Sequence, residues 1–204
     1  MTISNAEPNN KPFFDALRNL ISVKNFLTSE ECDKLIKLGT SKTISPGQLR
    51  GIPGQQGTKN SSIRKGHVSW IHDDKESEWL FIKLQDMIEQ VNQKYYRYHI
   101  DSFETLQFTI YDEVDDHYEL HLDAIANSFA DSYRKFSFSI QLSDTQDYQG
   151  SDLEFMLNAR ETFNAVRDRG TLIIFSSMMW HKVTPLISGK RYSLVGWVQG
   201  KPFT

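Results

Sequence analysis

Four residues in the second half of the chain have the chemistry of a metal site beside an anion receptor. His121 and Asp123 are two positions apart, so in a β-strand, where side chains alternate faces, they would point to the same side. His181, on another strand, would complete a set of two imidazoles and one carboxylate. That set suits non-haem Fe(II), because it leaves three positions open for a co-substrate and O₂. Arg191 adds a permanent cation that can bind a carboxylate in bidentate fashion, as a 2-oxo dicarboxylic acid would require.

The His-x-Asp spacing alone does not select this stretch, because the chain contains it three times. His72 and Asp74 stand at the polar start of a predicted helix, where Asp is favoured as a cap. His99 and Asp101 follow the end of that helix, where a His suits the helix dipole. Both pairs are therefore interpreted as structural, and the third pair is kept as the candidate.

Composition and charge limit the class of protein. The chain has 204 residues, of which 39% are hydrophobic and 12% aromatic, as in one globular domain with a sizeable core. We expect residues 1–12 to be a disordered polar tail and residues 13–204 to form that domain. The net charge of -3 gives no electrostatic support for a nucleic-acid partner.

The compartment is predicted from cysteine content and hydropathy. A single cysteine, Cys32, excludes an internal disulfide framework and suits a reducing compartment, and we interpret it as a buried core residue. The sequence has no signal-peptide pattern and no apolar run of about 18 residues. We therefore expect a soluble, cytoplasmic protein with no membrane partner.

Two helices are predicted in the first half of the chain. Thr28 and Glu31 form a capping box at the start of the first, and Gly39 is expected to end it. The second is expected to start at a cap on Asp73 or Asp74 and to run to about residue 97, with a single apolar face. Both are interpreted as supports packed against a sheet.

The segment 39–66 between these helices holds six of the eleven glycines. A loop of this length without periodicity is either functional or disordered. One hypothesis is a flap that closes over an extended polypeptide substrate, and the other is a surface loop irrelevant to catalysis.

Beyond residue 104 the pattern becomes that of β-strands with turn signals between them. The expected strands are Thr105–Tyr111, Tyr118–Ala124, Phe136–Leu142, Asp152–Met156, Thr162–Val166, Thr171–Phe175, His181–Leu186 and Arg191–Val198, after two earlier ones at Leu20–Leu27 and His67–Ile71. Short strands without long helices between them favour a sandwich or jelly roll over a parallel βαβ sheet. The predicted class is therefore mainly β with flanking helices, with the jelly-roll core at about 104–199.

Four stretches carry a family resemblance, and two of them are QLSDTQDYQGSDLEF and the N-terminal VKNFLTSEECDKLIKLG. The C-terminal run GTLIIFSSMMWHKVTPLISGKRYSLVGWVQG contains H-x-V-x-P followed by G-x-R-x-S-x-x-x-W, and Tyr111 lies ten residues before His121 in YDEVDDHYELHLDA. All four resemble the prolyl 4-hydroxylase-like Fe(II)/2-oxoglutarate-dependent oxygenases, including the bacterial PKHD-type hydroxylases. The resemblance covers most of residues 20–200, and its most specific feature is the joint occurrence, in order, of Tyr111, His121, Asp123, His181 and Arg191.

The resemblance implies a double-stranded β-helix and a hydroxylase that uses Fe(II), 2-oxoglutarate and O₂, releases succinate and CO₂, and takes ascorbate as a reductant. It implies that His121, Asp123 and His181 are the metal ligands and the catalytic centre. Asp123 favours hydroxylation, because related halogenases lack this carboxylate and bind a halide there.

The resemblance also implies a binding site for 2-oxoglutarate. Arg191 would bind the distal carboxylate, and Tyr111 and Ser193 would add hydrogen bonds. The chain departs from the family pattern at Gln141, where some prolyl hydroxylases have a Tyr that contacts the co-substrate, and at Gly150-Ser151, where many members have two glycines.

The implied substrate is a proline-containing polypeptide. One alternative is a hydroxylase of a free amino acid or another small molecule, which the sequence does not distinguish. Another is a non-catalytic, metal-binding jelly roll, which would have no need of Arg191 at its position.

Overall fold

The computed structural model describes residues 3–5, 20–49, 60–124 and 132–201. These residues form two α-helices, α1 (Ser29–Ser41) and α2 (Glu78–Val91), and α2 continues into a π-helical turn at Asn92–Tyr96. The strands are β1 (Ile3–Asn5), β2 (Ile21–Val23), β3 (Ser45–Pro46), β4 (Arg64–Lys65), β5 (His67–Ile71), β6 (Ser102–Phe103), β7 (Leu106–Tyr111), β8 (His117–His121), β9 (Tyr133–Gln141), β10 (Tyr148–Gly150), β11 (Leu153–Asn158), β12 (Glu161–Asn164), β13 (Leu172–Ser176), β14 (His181–Val183), β15 (Leu186–Gly189) and β16 (Arg191–Gly200).

The strands form two main antiparallel sheets. The larger runs in the order β1-β2-β13-β9-β16-β7-β5-β3, with β6 also paired to β16, and the smaller runs β12-β11-β14-β8-β4. Strands β10 and β15 form a separate two-stranded ribbon. Most strands that pair with each other are not consecutive in the sequence, as in a double-stranded β-helix, and the predicted jelly roll is confirmed.

The two faces of the larger sheet have different roles because side chains alternate along each strand. On β16, Leu194 and Val198 are buried in the main hydrophobic core, which also contains Leu84 and Ile88 of α2. Intervening residues of the same strand line a cavity between the two sheets; they are Arg191, Ser193, Val195 and Trp197. The helices therefore cover one face of the larger sheet, and the other face is left for the site.

Helix α1 confirms the predicted start but not the predicted end. The Thr28 hydroxyl accepts a hydrogen bond from the Glu31 amide at 3.2 Å, and the Glu31 carboxylate accepts one from the Thr28 amide at 2.8 Å. The helix continues through Gly39 to Ser41. A Cβ at position 39 would collide with the Phe108 ring of β7, so this glycine lets the helix approach the sheet.

Helix α2 starts later than predicted. Asp74 does not cap the helix; its carboxylate accepts a hydrogen bond from the Glu76 amide at 2.9 Å in the preceding turn. The α-helix begins after Ser77 and ends at Val91, and the π-helical turn continues the helical segment to Tyr96, which agrees with the predicted end at about residue 97. The predicted cap on Asp73 or Asp74 is therefore wrong, because the Asp74 carboxylate bonds to a backbone amide before the helix begins.

Two predicted strands also differ. The Leu20–Leu27 strand is shortened to Ile21–Val23, and the His181–Leu186 strand is split into β14 and β15 around Pro185. The remaining strands lie within three residues of their expected bounds; β8 ends three residues early, before Asp123, and β9 starts three residues early.

Two segments of the chain are covered only in part. Within the expected disordered tail, Ile3–Asn5 form β1, which pairs with β2, and the rest of residues 1–12 lies outside the described residues. Residues 50–59 of the hypothetical flap also lie outside them, so the flap stays a prediction.

The connection between β10 and β11 gives a stability prediction. Gly150 and Ser151 both have left-handed backbones, with φ of 72° and 50°. Ser151 is buried, and its hydroxyl has no hydrogen-bond partner within the described part of the chain. Because the left-handed conformation costs a non-glycine residue roughly 1–2 kcal/mol, we expect Ser151→Gly to raise the free energy of unfolding by about 1 kcal/mol, measured by urea denaturation.

Gly150→Ala is the matched variant and should be destabilising, because its Cβ would collide with the Pro185 carbonyl. A loss of stability in Ser151→Gly would contradict the backbone-strain explanation.

Candidate active site

The two histidines of the candidate site lie side by side in the smaller sheet. His121 is the last residue of β8 and His181 the first of β14, and the two are directly paired. Asp123 lies beyond the end of β8, so the predicted placement of this residue within the strand is wrong. The amides of Asp123 and Ala124 instead donate to the Ser177 carbonyl, at 3.1 and 2.8 Å. These bonds fold the chain back and bring the carboxylate to the histidines.

The three side chains converge on one point. The Asp123 carboxylate oxygens are 3.7 Å from His121 Nε2 and 3.4 Å from His181 Nε2. One ligand atom from each of the three residues lies within 4.8 Å of the other two. Ligand atoms about 2.1 Å from a shared metal ion can be no farther apart than about twice that distance, so a small closure of the site would suffice.

Backbone carbonyls orient both imidazoles. His121 Nδ1 lies 2.7 Å from the Glu119 carbonyl oxygen, and His181 Nδ1 lies 2.9 Å from that of Met179. With Nδ1 donating to a carbonyl, Nε2 keeps the lone pair that a metal ion needs. The donor set and its orientation therefore fit a divalent metal.

The ionisation of these groups also fits a metal site. Burial and then the neighbouring His181 lower the pKa of His121 to about 4. Burial opposes ionisation of Asp123, but the charge and hydrogen bond of His181 outweigh it and hold the carboxyl pKa below its usual range. Burial likewise disfavours protonation of His181, but Asp123 raises its pKa overall. Near neutral pH the site therefore offers an ionised carboxylate and at least one neutral imidazole.

The two other His-x-Asp pairs do not form such a site. His99 and Asp101 are a solvent-exposed pair 3.1 Å apart, and Asp74 is engaged in the turn before α2. Among the described residues, His121, Asp123 and His181 are the only cluster of three potential ligands.

A cavity of about 810 Å³ lies between the sheets and is lined by the candidate metal ligands and by Arg191. Arg191 is 2% exposed, and its Nη2 donates to the Gln141 side-chain oxygen at 2.9 Å. Within the described parts of the chain, its Nε has no hydrogen-bond partner and no acidic residue forms an ion pair with it. A buried cation without an anion is costly. Arg191 is therefore suited to receive a carboxylate from a ligand.

The other predicted co-substrate residues lie beside Arg191. Tyr111 of β7 is paired with Arg191, and its ring centroid is 5.7 Å from the guanidinium carbon. Burial raises the pKa of the Tyr111 phenol, which keeps its proton as a hydrogen-bond donor. Ser193 is buried and faces the same cavity. Gln141 takes part as well, because its amide nitrogen is held by the Val166 carbonyl at 3.0 Å and its oxygen is thereby turned to Arg191.

Sequence reasoning missed Tyr118 as part of the site. Its ring stacks on His121, with centroids 3.7 Å apart. Along a regular strand, two residues three positions apart point to opposite faces of the sheet. Strand β8 is irregular here, because the three-residue step from Tyr118 to His121 pairs with the two-residue step from Val183 to His181 on β14. The extra residue in β8 returns Tyr118 to the face of His121, and the sequence alone gives no signal for it.

Sequence reasoning also missed a polar cluster at the cavity wall. Arg134 forms two hydrogen bonds with the Glu104 carboxylate, both at 2.6 Å. The Arg134 guanidinium carbon lies 3.9 Å from the centroid of the Trp197 ring. Arg134 lies near the start of β9, and its role depends on the distant Glu104, so no local pattern could reveal it.

Comparison with known proteins shows the family to which the chain belongs. Residues 87–199, more than half of the chain, match the model of the 2OG-Fe(II) oxygenase superfamily. The chain therefore belongs to that superfamily, whose cofactors are Fe(II) and 2-oxoglutarate, as predicted.

Among curated proteins, the chain is similar to PKHD-type hydroxylases. It is 34% identical over 86 residues to one from Hyphomonas neptunium, a match covering 41% of this chain and 38% of that protein. It is also 34% identical over 83 residues to one from a Synechococcus species, covering 40% of this chain and 36% of the relative. The match thus spans less than half of either relative's length.

The solved structures that resemble this fold include prolyl hydroxylases. A Pseudomonas putida prolyl-4-hydroxylase superposes with a TM-score of 0.70 at 18% identity, covering 93% of this chain and 96% of the other. A Trichoplax adhaerens prolyl hydroxylase, in complex with a hypoxia inducible factor peptide fragment, gives 0.71 at 22% identity, covering 88% and 82%. At such identities the likeness shows the fold alone.

Neither described helix is both long and apolar enough to span a membrane.

Proposed function

We propose that this chain is an Fe(II)- and 2-oxoglutarate-dependent hydroxylase. In this proposal His121, Asp123 and His181 hold the metal, and Arg191, Tyr111 and Ser193 bind 2-oxoglutarate. The observation that carries it is one cavity with two components: a carboxylate between two oriented imidazoles, and a buried Arg without an acidic partner. A non-catalytic metal-binding jelly roll would gain nothing from that uncompensated Arg, so the hydroxylase is favoured.

The metal and its co-substrate would supply O₂ activation for C–H oxidation, with 2-oxoglutarate converted to succinate and CO₂. The chain's own residues position these groups. The carbonyls of Glu119 and Met179 hold the imidazole tautomers, which keeps both Nε2 atoms available. Gln141 holds the Arg191 guanidinium in place for the co-substrate carboxylate.

Aromatic side chains keep water from one side of the centre. The rings of Phe155 and Phe175 lie 5.9 and 4.9 Å from that of His181, centroid to centroid. Both phenylalanines are almost fully buried. A dry wall strengthens charge interactions within the site and excludes competing reactions with water.

The proposed substrate is a proline-containing polypeptide. Support comes from the likeness to PKHD-type hydroxylases and from the prolyl hydroxylase folds, one of them bound to a peptide. The cavity is large enough for more than the co-substrate. Hydroxylation of a free amino acid or another small molecule is the second candidate.

Use of ascorbate as reductant remains a prediction.

The proposal is tested by turnover. Purified protein with Fe(II), 2-oxoglutarate and O₂ is incubated with a panel of proline-containing peptides and, separately, with free L-proline. We expect succinate formation together with a gain of one oxygen atom on a peptide, both measured by mass spectrometry. Oxidation of L-proline but of no peptide would favour the small-molecule candidate. A protein that binds 2-oxoglutarate but forms no succinate under any condition would contradict the hydroxylase.

A further inference from the structure

We propose that Arg64 recognises a carboxylate on the substrate, so that the preferred substrate is anionic close to the C–H bond that is oxidised. This inference rests on the proposed function and specifies the substrate class for the same site. It is carried by the position of Arg64, by its unused hydrogen-bond donors and by the balance of charges in the cavity.

Arg64 stands beside the candidate metal centre. It lies on β4, where it pairs with Tyr118 of β8, and it lines the cavity. Its guanidinium carbon is 4.6 Å from the centroid of the Tyr118 ring, which also stacks on His121. One aromatic ring therefore separates the Arg64 charge from a proposed metal ligand. A ligand group bound at Arg64 would lie within a short reach of the reacting position.

The Arg64 side chain is held in place, but most of its N–H donors have no partner within the described residues. Its Nη1 donates to the Gln48 carbonyl at 3.0 Å, and it packs over Gly47, where a Cβ would come within 2.7 Å of Nε. A guanidinium has five N–H donors, and only this one is hydrogen-bonded within the described residues. Arg64 is half-buried, so its remaining donors are open to a ligand. A pre-positioned guanidinium is well suited to bind a carboxylate in bidentate fashion.

The described acidic side chains that line the cavity are all engaged with cations other than Arg64. Arg134 is neutralised by Glu104. A divalent metal would be neutralised by Asp123 and one carboxylate of 2-oxoglutarate, and Arg191 by the other carboxylate. Arg64 forms no ion pair with any acidic residue that the structure describes, and the adjacent sequence 50–59 contains no Asp or Glu.

Among the described residues that line the cavity, one positive charge therefore remains once the metal and 2-oxoglutarate are bound. A cleft with an unbalanced positive charge attracts anions and disfavours cationic substrates. The carboxylate can come from an acidic side chain near the target residue of a peptide or from the free carboxyl group of an amino acid. Both sources present the same chemistry to Arg64, and matched probes distinguish them.

The test measures binding to the anaerobic protein loaded with Fe(II) and 2-oxoglutarate, followed by the change in tryptophan fluorescence, to which Trp70 and Trp197 of the cavity lining contribute. One probe pair is a proline-centred peptide flanked by Asp and its Asn-flanked equivalent. The other pair is free L-proline and L-prolinamide. The proteins compared are the wild type, Arg64→Gln, Arg64→Lys and the control Lys182→Gln, which removes a cation paired with Glu154 at 3.1 Å, outside the cavity lining.

We expect the wild type to bind the carboxylate member of one pair roughly 10- to 100-fold more tightly than the amide member, as befits a charge-assisted hydrogen bond. In Arg64→Gln the preference should fall to less than about twofold, Arg64→Lys should keep part of it, and Lys182→Gln should keep all of it. The probe pair that shows the preference identifies the source of the carboxylate.

Equal affinity for the acid and the amide in both probe pairs would overturn this inference. The absence of measurable binding of any probe would overturn it as well. A loss of 2-oxoglutarate affinity in Arg64→Gln would also overturn it, because Arg64 would then belong to the co-substrate site. Binding of 2-oxoglutarate is measured in the same samples, and it distinguishes failure of the inference about Arg64 from failure of the proposed function. A wild-type protein that does not bind 2-oxoglutarate would overturn both.

Discussion

Arg191→Ala is expected to weaken binding of 2-oxoglutarate by roughly 30- to 5,000-fold, which corresponds to about 2–5 kcal/mol, because the co-substrate carboxylate would be buried and unpaired. Metal affinity should change little, since Arg191 is not among the clustered ligand atoms. The measurement is equilibrium dialysis of labelled 2-oxoglutarate against protein loaded with Mn(II), which avoids turnover. Arg191→Lys should retain part of the affinity, as a point charge without the bidentate geometry.

The control for this prediction is the preceding residue. Lys190 is exposed and pairs with Asp112 at 3.0 Å, so Lys190→Ala removes the same charge from the neighbouring position. It should leave the affinity for 2-oxoglutarate within about twofold of the wild type, because exposed ion pairs contribute little. An Arg191→Ala protein with unchanged affinity would refute the role assigned to Arg191.

Asp123→Ala is expected to reduce metal affinity by at least about 100-fold. Loss of a group that only supports a metal ligand commonly costs 10- to 100-fold, and loss of the carboxylate itself should reach or exceed the upper value. Asp123 is also the anion that lies between His121 and His181, at 3.7 and 3.4 Å. Isothermal titration of the anaerobic protein with Fe(II) measures the change, and succinate formation should disappear with it.

The chain offers a matched control in its own sequence. Asp101→Ala removes the carboxylate of an equally spaced His-x-Asp pair that is exposed and outside the cavity lining. Metal affinity and succinate formation should both survive this change. If Asp101→Ala lowered metal affinity as much as Asp123→Ala, the metal would not be bound where the three ligands converge.

Much of the fold follows from local sequence patterns. Alternating strands, the Thr28–Glu31 capping box and the apolar face of α2 depend on neighbouring residues, so the sequence predicts them. Gly39 was misjudged because its role depends on Phe108, which is distant in sequence. Helix-ending glycines and close-contact glycines look the same in a sequence.

In the candidate site, too, the sequence predicts some residues and misses others whose role depends on distant parts of the chain. The residues at 121, 123 and 181 could be selected by type, spacing and resemblance, although the strand was expected to reach Asp123 and does not. The stacking of Tyr118 depends on the irregularity in β8, and the exposure of Arg64 to the cavity depends on the pairing of β4 with β8. Both require the register of strands that the sequence leaves undefined.

The central claim is that one cavity binds Fe(II) and 2-oxoglutarate together. It is tested most directly by adding Fe(II) and then 2-oxoglutarate to the wild-type protein without O₂ and recording the visible absorption spectrum. We expect a metal-to-ligand charge-transfer band that appears only when both are present and saturates at one equivalent of each. Tight binding of both without that band, or a band of undiminished intensity at the same concentrations in Asp123→Ala, would contradict the account.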